Sequence, residues 1–175
     1  MPFPNPEKGN RMTTDSPTIP PASQLATQVM AEYSSYDAAG LLLNACKVAI
    51  TANSRAEIER AAHGAVAAWH RLAGAEDYPA HAKEGHRKRL LDFLKLLPMI
   101  RHTNPAMSDL RRAAGYRKPA KVIRHLLKAE AALAGGADHP HVAEMLEGVR
   151  AAIAGAMEAQ RLGNEVHLTI PNVKG

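Results

Sequence analysis

Apolar residues recur three and four positions apart along most of this chain and hardly ever alternate, a pattern that predicts helices packed through one face. Leu25, Val29, Met30 and Tyr33 give a short amphipathic helix from Ser23 to Tyr33. A second helix follows from Asp37 to Thr51, and its Leu41, Leu42, Leu43, Ala45, Cys46, Val48, Ala49 and Ile50 leave little polar face, so it is expected at the centre of the core. Ser54 with Glu57 fits a capping box that opens a third helix to Leu72, with Ile58, Ala61, Ala62, Ala65, Val66, Trp69 and Leu72 as its buried stripe. Gly74, tolerant of positive φ, is its expected stop.

Pro79 restarts the chain in a fourth helix, where a first-turn proline sacrifices only an unpartnered amide. Leu90, Leu91, Leu94 and Leu97 make one of its faces and Phe93, Leu96 and Ile100 another; Pro98 should end it. A short helix from Pro105 to Ala114 is then expected, a turn at Gly115-Tyr116, and a helix from Pro119 to Leu133 built on Val122, Ile123, Leu126, Leu127 and Leu133. After the stop at Gly135-Gly136, Pro140 begins the last helix, which carries Val142, Met145, Leu146, Val149, Ile153 and Met157 at helical spacing as far as Gly163. Only Glu165 to Ile170 alternates, through Val166, Leu168 and Ile170, which reads as an extended segment or marginal strand.

The expectation is an all-α, compact bundle of about six to seven helices with a helix-turn-helix-like corner, at a length that buries a core without disulfides or metals. It divides into a proline-rich, disordered lead over 1–22, one helical domain over 23–163 and an extended tail over 164–175. Aromatic residues make up only 4% of the chain, so small and aliphatic side chains must do the packing. The segments LAGAEDYP from Leu72 and LAGGADHP from Leu133 match at five of eight positions, and shared helix-stop and restart chemistry accounts for the echo. Cys46, the single cysteine, lies in an apolar run and reads as a small buried hydrophobe. No signal peptide or membrane span is apparent, so a cytoplasmic location is expected; Met12, followed by TTDSP, is an equally good start.

Charge changes the picture. Residues 81–128 hold thirteen Lys and Arg against three acids, a formal +10, while the flanks sum to −2 and −3. Such a surface attracts polyanions, above all nucleic acids. In its first part, Lys83, His86, Arg87, Lys88 and Arg89 sit in the first half of a helix, where the macrodipole disfavours cations, and an anion site that takes phosphate would explain them. In its second part, DLRRAAGYRKPAKVIRHLLKAE from Asp109 reads as helix, tight turn and helix. Arg117, Lys118, Lys121, Arg124, His125 and Lys128 fall at the start and on the outer side of that second helix, and Arg111 and Arg112 precede the turn.

The residues Leu110, Ala113, Gly115-Tyr116, Pro119, Lys121 and Ile123-Arg124 resemble the "LGY-x-x-P-x-K-x-I-R" segment of BRO-N and phage antirepressor-type DNA-binding domains. The resemblance runs from Leu110 to Leu127, a tenth of the chain. Those domains place strands ahead of this segment, whereas helices are expected here. It implies a phage- or plasmid-type DNA-binding regulator.

The remaining chemistry is sparse. His139 and His141 flank Pro140 beside Asp138, but no third ligand at metal spacing accompanies them, and a helix cap is expected instead. His63 and His70 are expected to pack at a boundary around Trp69. No glycine-rich phosphate loop, nucleophile elbow or catalytic carboxylate pair is present, so the chain reads as a non-enzyme without cofactor or metal. The expected function is binding of DNA, or of RNA, through Arg111, Arg112, Arg117, Lys118, Lys121, Arg124 and Lys128, with Arg87, Lys88 and Arg89 as further phosphate contacts, a symmetric homodimer with two half-sites being the usual arrangement for such readers. The alternative is a helical module that docks an acidic protein partner, its tail adding a strand to the partner's sheet.

Overall fold

The computed structural model describes residues 18–170; positions 1–17 of the lead expected over 1–22, and the last five residues of the expected tail, lie outside them. Six helices account for the described core: α1 (Gln24–Met30), α2 (Ser35–Thr51), α3 (Arg55–Ala73), α4 (Ala80–Ala114), α5 (Pro119–Ala134) and α6 (Pro140–Leu162). The described residues contain no strand, and 164–170 run as an extended segment.

Serine caps start the first three helices. The Ser23, Ser34 and Ser54 hydroxyls accept from the amides of Ala26, Asp37 and Glu57 at 3.2, 3.1 and 3.2 Å. α1 is shorter than its apolar spacing implied, and its stripe does not all turn inward. Met30 is buried, but Leu25 and Val29 are 72% and 53% exposed. α2 likewise has a solvent side: Ala38, Ala39, Leu42, Ala45, Cys46 and Ala49 are buried while Val48 and Ile50 are exposed. Gly74 closes α3 at φ −82°, in the right-handed region, so the stop expected there needs no positive φ; Gly163, at φ 71° after α6, is the left-handed cap.

The main departure from the sequence pattern is α4, which runs unbroken for 35 residues through Pro98 and Pro105. Each proline leaves a carbonyl four residues back without its helical donor, and an interior proline costs about 3 kcal/mol or more. Burial on both sides offsets that cost. The first half of α4 puts Leu90, Phe93, Leu97 and Ile100 into a core with α2 and α3; the second half puts Ala106 and Ala113 into a separate core with α5 and α6. Met99 packs against both cores. The Asn104 amide donates to the carbonyls of Ile50 (2.8 Å) and Ala52 (3.1 Å), tying the middle of α4 to the end of α2. A break at Pro98 would give up these contacts.

Each half is therefore three helices, α2–α3–α4 and α4–α5–α6, with α4 shared. The LAG echo marks the same turn in each, between the second and third helix of the unit. Buried positions Leu42, Ala45, Ala65, Ala68 and Leu72 recur 61 residues later as Thr103, Ala106, Leu126, Ala129 and Leu133. The third helices correspond at a different offset, Leu90, Phe93, Leu97 and Ile100 with Leu146, Val149, Ile153 and Ala156, because α4 begins ten residues ahead of Leu90 and α6 six residues ahead of Leu146. The echoes differ at Ala75 and Gly136 for a local reason. Buried His102 hydrogen-bonds the Ala132 carbonyl through Nδ1 at 2.9 Å, and a Cβ on Gly136 would lie 2.5 Å from its ring.

Candidate nucleic-acid interface

The end of α4, a four-residue turn and the first half of α5 bring the second basic group together. Gly115 caps α4, Pro119 takes the first position of α5, and the expected helix, tight turn and helix are present. His102 meets Ala132, Asp109 faces His125, and Tyr116 stacks on His125, so partners approach one another in order from both sides and the pair forms an antiparallel hairpin.

Arg111, Arg112, Arg117, Lys118, Lys121, Arg124 and Lys128 are all exposed. None of them forms an ion pair among the described residues. The nearby acids face other groups: Asp109 Oδ1 lies 3.6 Å from His125 Nδ1, and Glu130 pairs with Arg150 of α6 at 3.5 Å. Lys121, Arg124 and Lys128 lie three and then four positions apart, so they form one stripe on α5 about 10 Å long.

An aromatic stack stiffens the turn beneath these cations. The Tyr116 and His125 rings are parallel within 3° at 5.4 Å, and Lys121 Nζ sits 5.1 Å from the Tyr116 centroid. The sequence pattern set His125 on the outer side of α5, but its ring is buried against Tyr116, and Leu127, expected in the core, is the residue that faces solvent. Sequence reasoning missed this stack. Its signal was the nine-residue separation of Tyr116 and His125 across a turn, visible only once the hairpin register is known.

The first basic group is placed differently. Lys83 Nζ donates to the carbonyls of Ala73 and Ala75, satisfying the end of α3. His86 Nε2 bonds the Tyr78 hydroxyl at 3.0 Å, and Tyr78 in turn packs edge-on to Tyr36. Burial, reinforced by the charge of Arg89, holds the His86 imidazole below its ordinary pKa. Arg87 pairs with Glu84 at 3.3 Å. Arg87, Lys88 and Arg89 begin seven residues into α4, about 10–14 Å along the axis from its free first-turn amides. The structure therefore does not bring these cations and the helix start into one anion site. Of the intervening bases, Lys95 pairs with Asp92 at 3.9 Å and Arg101 with Glu59 at 3.2 Å.

The remaining candidates have structural partners. His139 accepts from the His141 amide at 3.2 Å as the cap of α6. Exposed His70 bonds the Pro20 carbonyl at 2.8 Å and so anchors the segment before α1. Burial raises the Cys46 thiol to about 11, which leaves it a poor nucleophile. No group of three or more potential metal ligands occurs among the described residues, and no helix among them is long and apolar enough to cross a membrane. No protein-family profile, curated protein or solved structure matches the chain.

Proposed function

We propose that this protein binds nucleic acid, DNA before RNA, through the α4–α5 turn and the outer side of α5. The observation that carries this reading is a run of seven exposed cations with no ion-pair partner among the described residues, on an element whose acids face elsewhere. Cations gathered without counter-charges repel one another, and a polyanion relieves that repulsion. Duplex DNA presents one charge per about 1.7 Å of axis, so a 10 Å stripe faces several phosphates at once.

The antiparallel hairpin favours contact along the side of α5. DNA-reading helix-turn-helix pairs cross at about 90–120° and enter the major groove with the second helix. Here the long side of α5 and the turn are what solvent reaches, an arrangement suited to backbone phosphates and low sequence discrimination. The likeness of Leu110 to Leu127 to phage antirepressor-type segments supports a role as a phage- or plasmid-type regulator or accessory factor. In this chain the motif's Gly115, Tyr116 and Pro119 build the turn, and its Lys121 and Arg124 lie on the proposed contact surface.

The test is fluorescence anisotropy of labelled duplex DNA, single-stranded DNA and RNA with the purified protein over a salt series. Binding that weakens steeply with salt supports the reading; no binding to any of the three at low salt rejects it.

A further inference from the structure

The paired three-helix units leave two grooves in equivalent places, one between α4 and α6 and one between α2 and α4. The first, about 450 Å³, is closed on its third side by the chain itself. After Gly163 the extended tail turns back, the Val166 amide donates to the Arg117 carbonyl at 2.9 Å, and Val166 and Leu168 pack against the second core. Leu168, Thr169 and Ile170 form the groove wall facing Met107 of α4 and Met145 of α6. The alternating apolar pattern of the tail is thus read by a groove between two helices, and no sheet is involved.

The second groove, about 660 Å³, has the same construction and no such wall among the described residues. Cys46 of α2 stands where Met107 stands in the first groove, 61 positions on. On the other side, Arg89, Phe93 and Leu96 of α4 stand where Met145, Val149 and Ala152 of α6 stand, each 56 positions on, the offset that relates the buried residues of those helices. Ile50 and Leu96 line the groove and are 45% and 42% exposed, next to half-buried Leu43. This is contiguous apolar surface, which water disfavours more than scattered exposed side chains. The rims differ in sign. Glu144 and His141 border the covered groove, whereas Lys47 and Arg89, neither in an ion pair among the described residues, border the open one, where Asp92 is paired with Lys95.

We infer that the α2–α4 groove is a docking site for an extended segment of a partner protein, with apolar residues at alternate positions and acidic residues at its ends. The internal counterpart sets the extended conformation and the alternation, and Lys47 and Arg89 set the charge. This site is separate from the α5 surface, and either can fail without the other.

The probe is the fluorescein-labelled peptide EEVHLTIEE, which carries the tail's own alternation between acidic ends, titrated into the full-length protein. An equally charged peptide with the apolar positions replaced, EESHSTSEE, reports attraction by charge alone. The inference predicts that EEVHLTIEE binds at least about tenfold more tightly than EESHSTSEE, as expected for burial of one or two aliphatic side chains. Leu96→Glu and Ile50→Glu, both at exposed positions and each checked for retained helicity by circular dichroism, should each weaken it about tenfold. Alanine at Arg117, Lys118, Lys121 and Arg124 together should leave it unchanged. Equal binding of the two peptides, or loss with Met145→Glu but not with Leu96→Glu, which would place the peptide in the tail's groove, overturns the inference.

Discussion

The two ends of α4 both carry dense positive charge and use it differently. At the start of the helix, Lys83 caps α3, His86 is held by Tyr78 and Arg87 faces Glu84, so most of the basic groups already have partners inside the fold. At the far end, Arg111 and Arg112 lead into Arg117, Lys118, Lys121, Arg124 and Lys128, none of them in an ion pair among the described residues. A count of Lys and Arg measures charge present. Charge available to a ligand depends on which cations the fold has already paired, and surface cations without partners are the ones that can exchange counterions for phosphate.

The strongest way to break this comparison is to remove each group in turn. Alanine at Arg117, Lys118, Lys121 and Arg124 should reduce duplex affinity on the order of 100-fold at moderate salt and flatten the log–log salt slope by about 3–4. Alanine at Arg87, Lys88 and Arg89 should change affinity by less than about threefold. Anisotropy titrations of both variants at three salt concentrations measure this, and a larger effect from the second variant reverses the comparison.

Next in size is the stack under the turn. His125→Ala removes a buried ring from between Tyr116 and Asp109 and should cost about 2–3 kcal/mol of stability in urea melts. His86→Ala, at a half-exposed site, should cost less than about 1 kcal/mol.

A smaller pair separates structural from binding cations. Lys83→Met should lose about 1 kcal/mol by freeing the last carbonyls of α3 while leaving duplex affinity unchanged. Lys128→Met should do the opposite, lowering affinity a few-fold with no shift in the urea midpoint.

The smallest effect is in pH. His86 has a folded pKa below its ordinary value, so between the two values the unfolded chain binds the proton more readily than the folded one. The stability linked to this group is present above the ordinary histidine range and declines as pH falls through it. His86→Gln should flatten that slope in melts taken between pH 7.5 and 5.5; an unchanged slope would show that His86 does not contribute.

Much of this architecture was legible in the sequence, because Ser54, Pro79, Gly115, Pro119 and Pro140 punctuate helices by local chemistry that tertiary context leaves alone. The helix through Pro98 and Pro105 was not, because the local cost of a proline is visible in sequence while the two cores and the Asn104 bonds that offset it are contacts between distant residues. The solvent-facing Leu25, Val29 and Ile50 were hidden for the same reason: apolar spacing shows that a stripe exists, not whether a neighbour covers it. For the site, the cations on the outer side of α5 follow from helical spacing. The inward turn of His125 and the engagement of Lys83 depend on which helix lies alongside, whereas the Arg87–Glu84 pair is an i,i+3 contact within α4.

The most direct test of the central claim is an amide chemical-shift map of the protein titrated with a short duplex at moderate salt. Perturbations should concentrate over residues 111–128, with Arg117, Lys121, Arg124 and Lys128 among the largest and little change at 83–89. Perturbations centred on 83–89, or none anywhere, would contradict it.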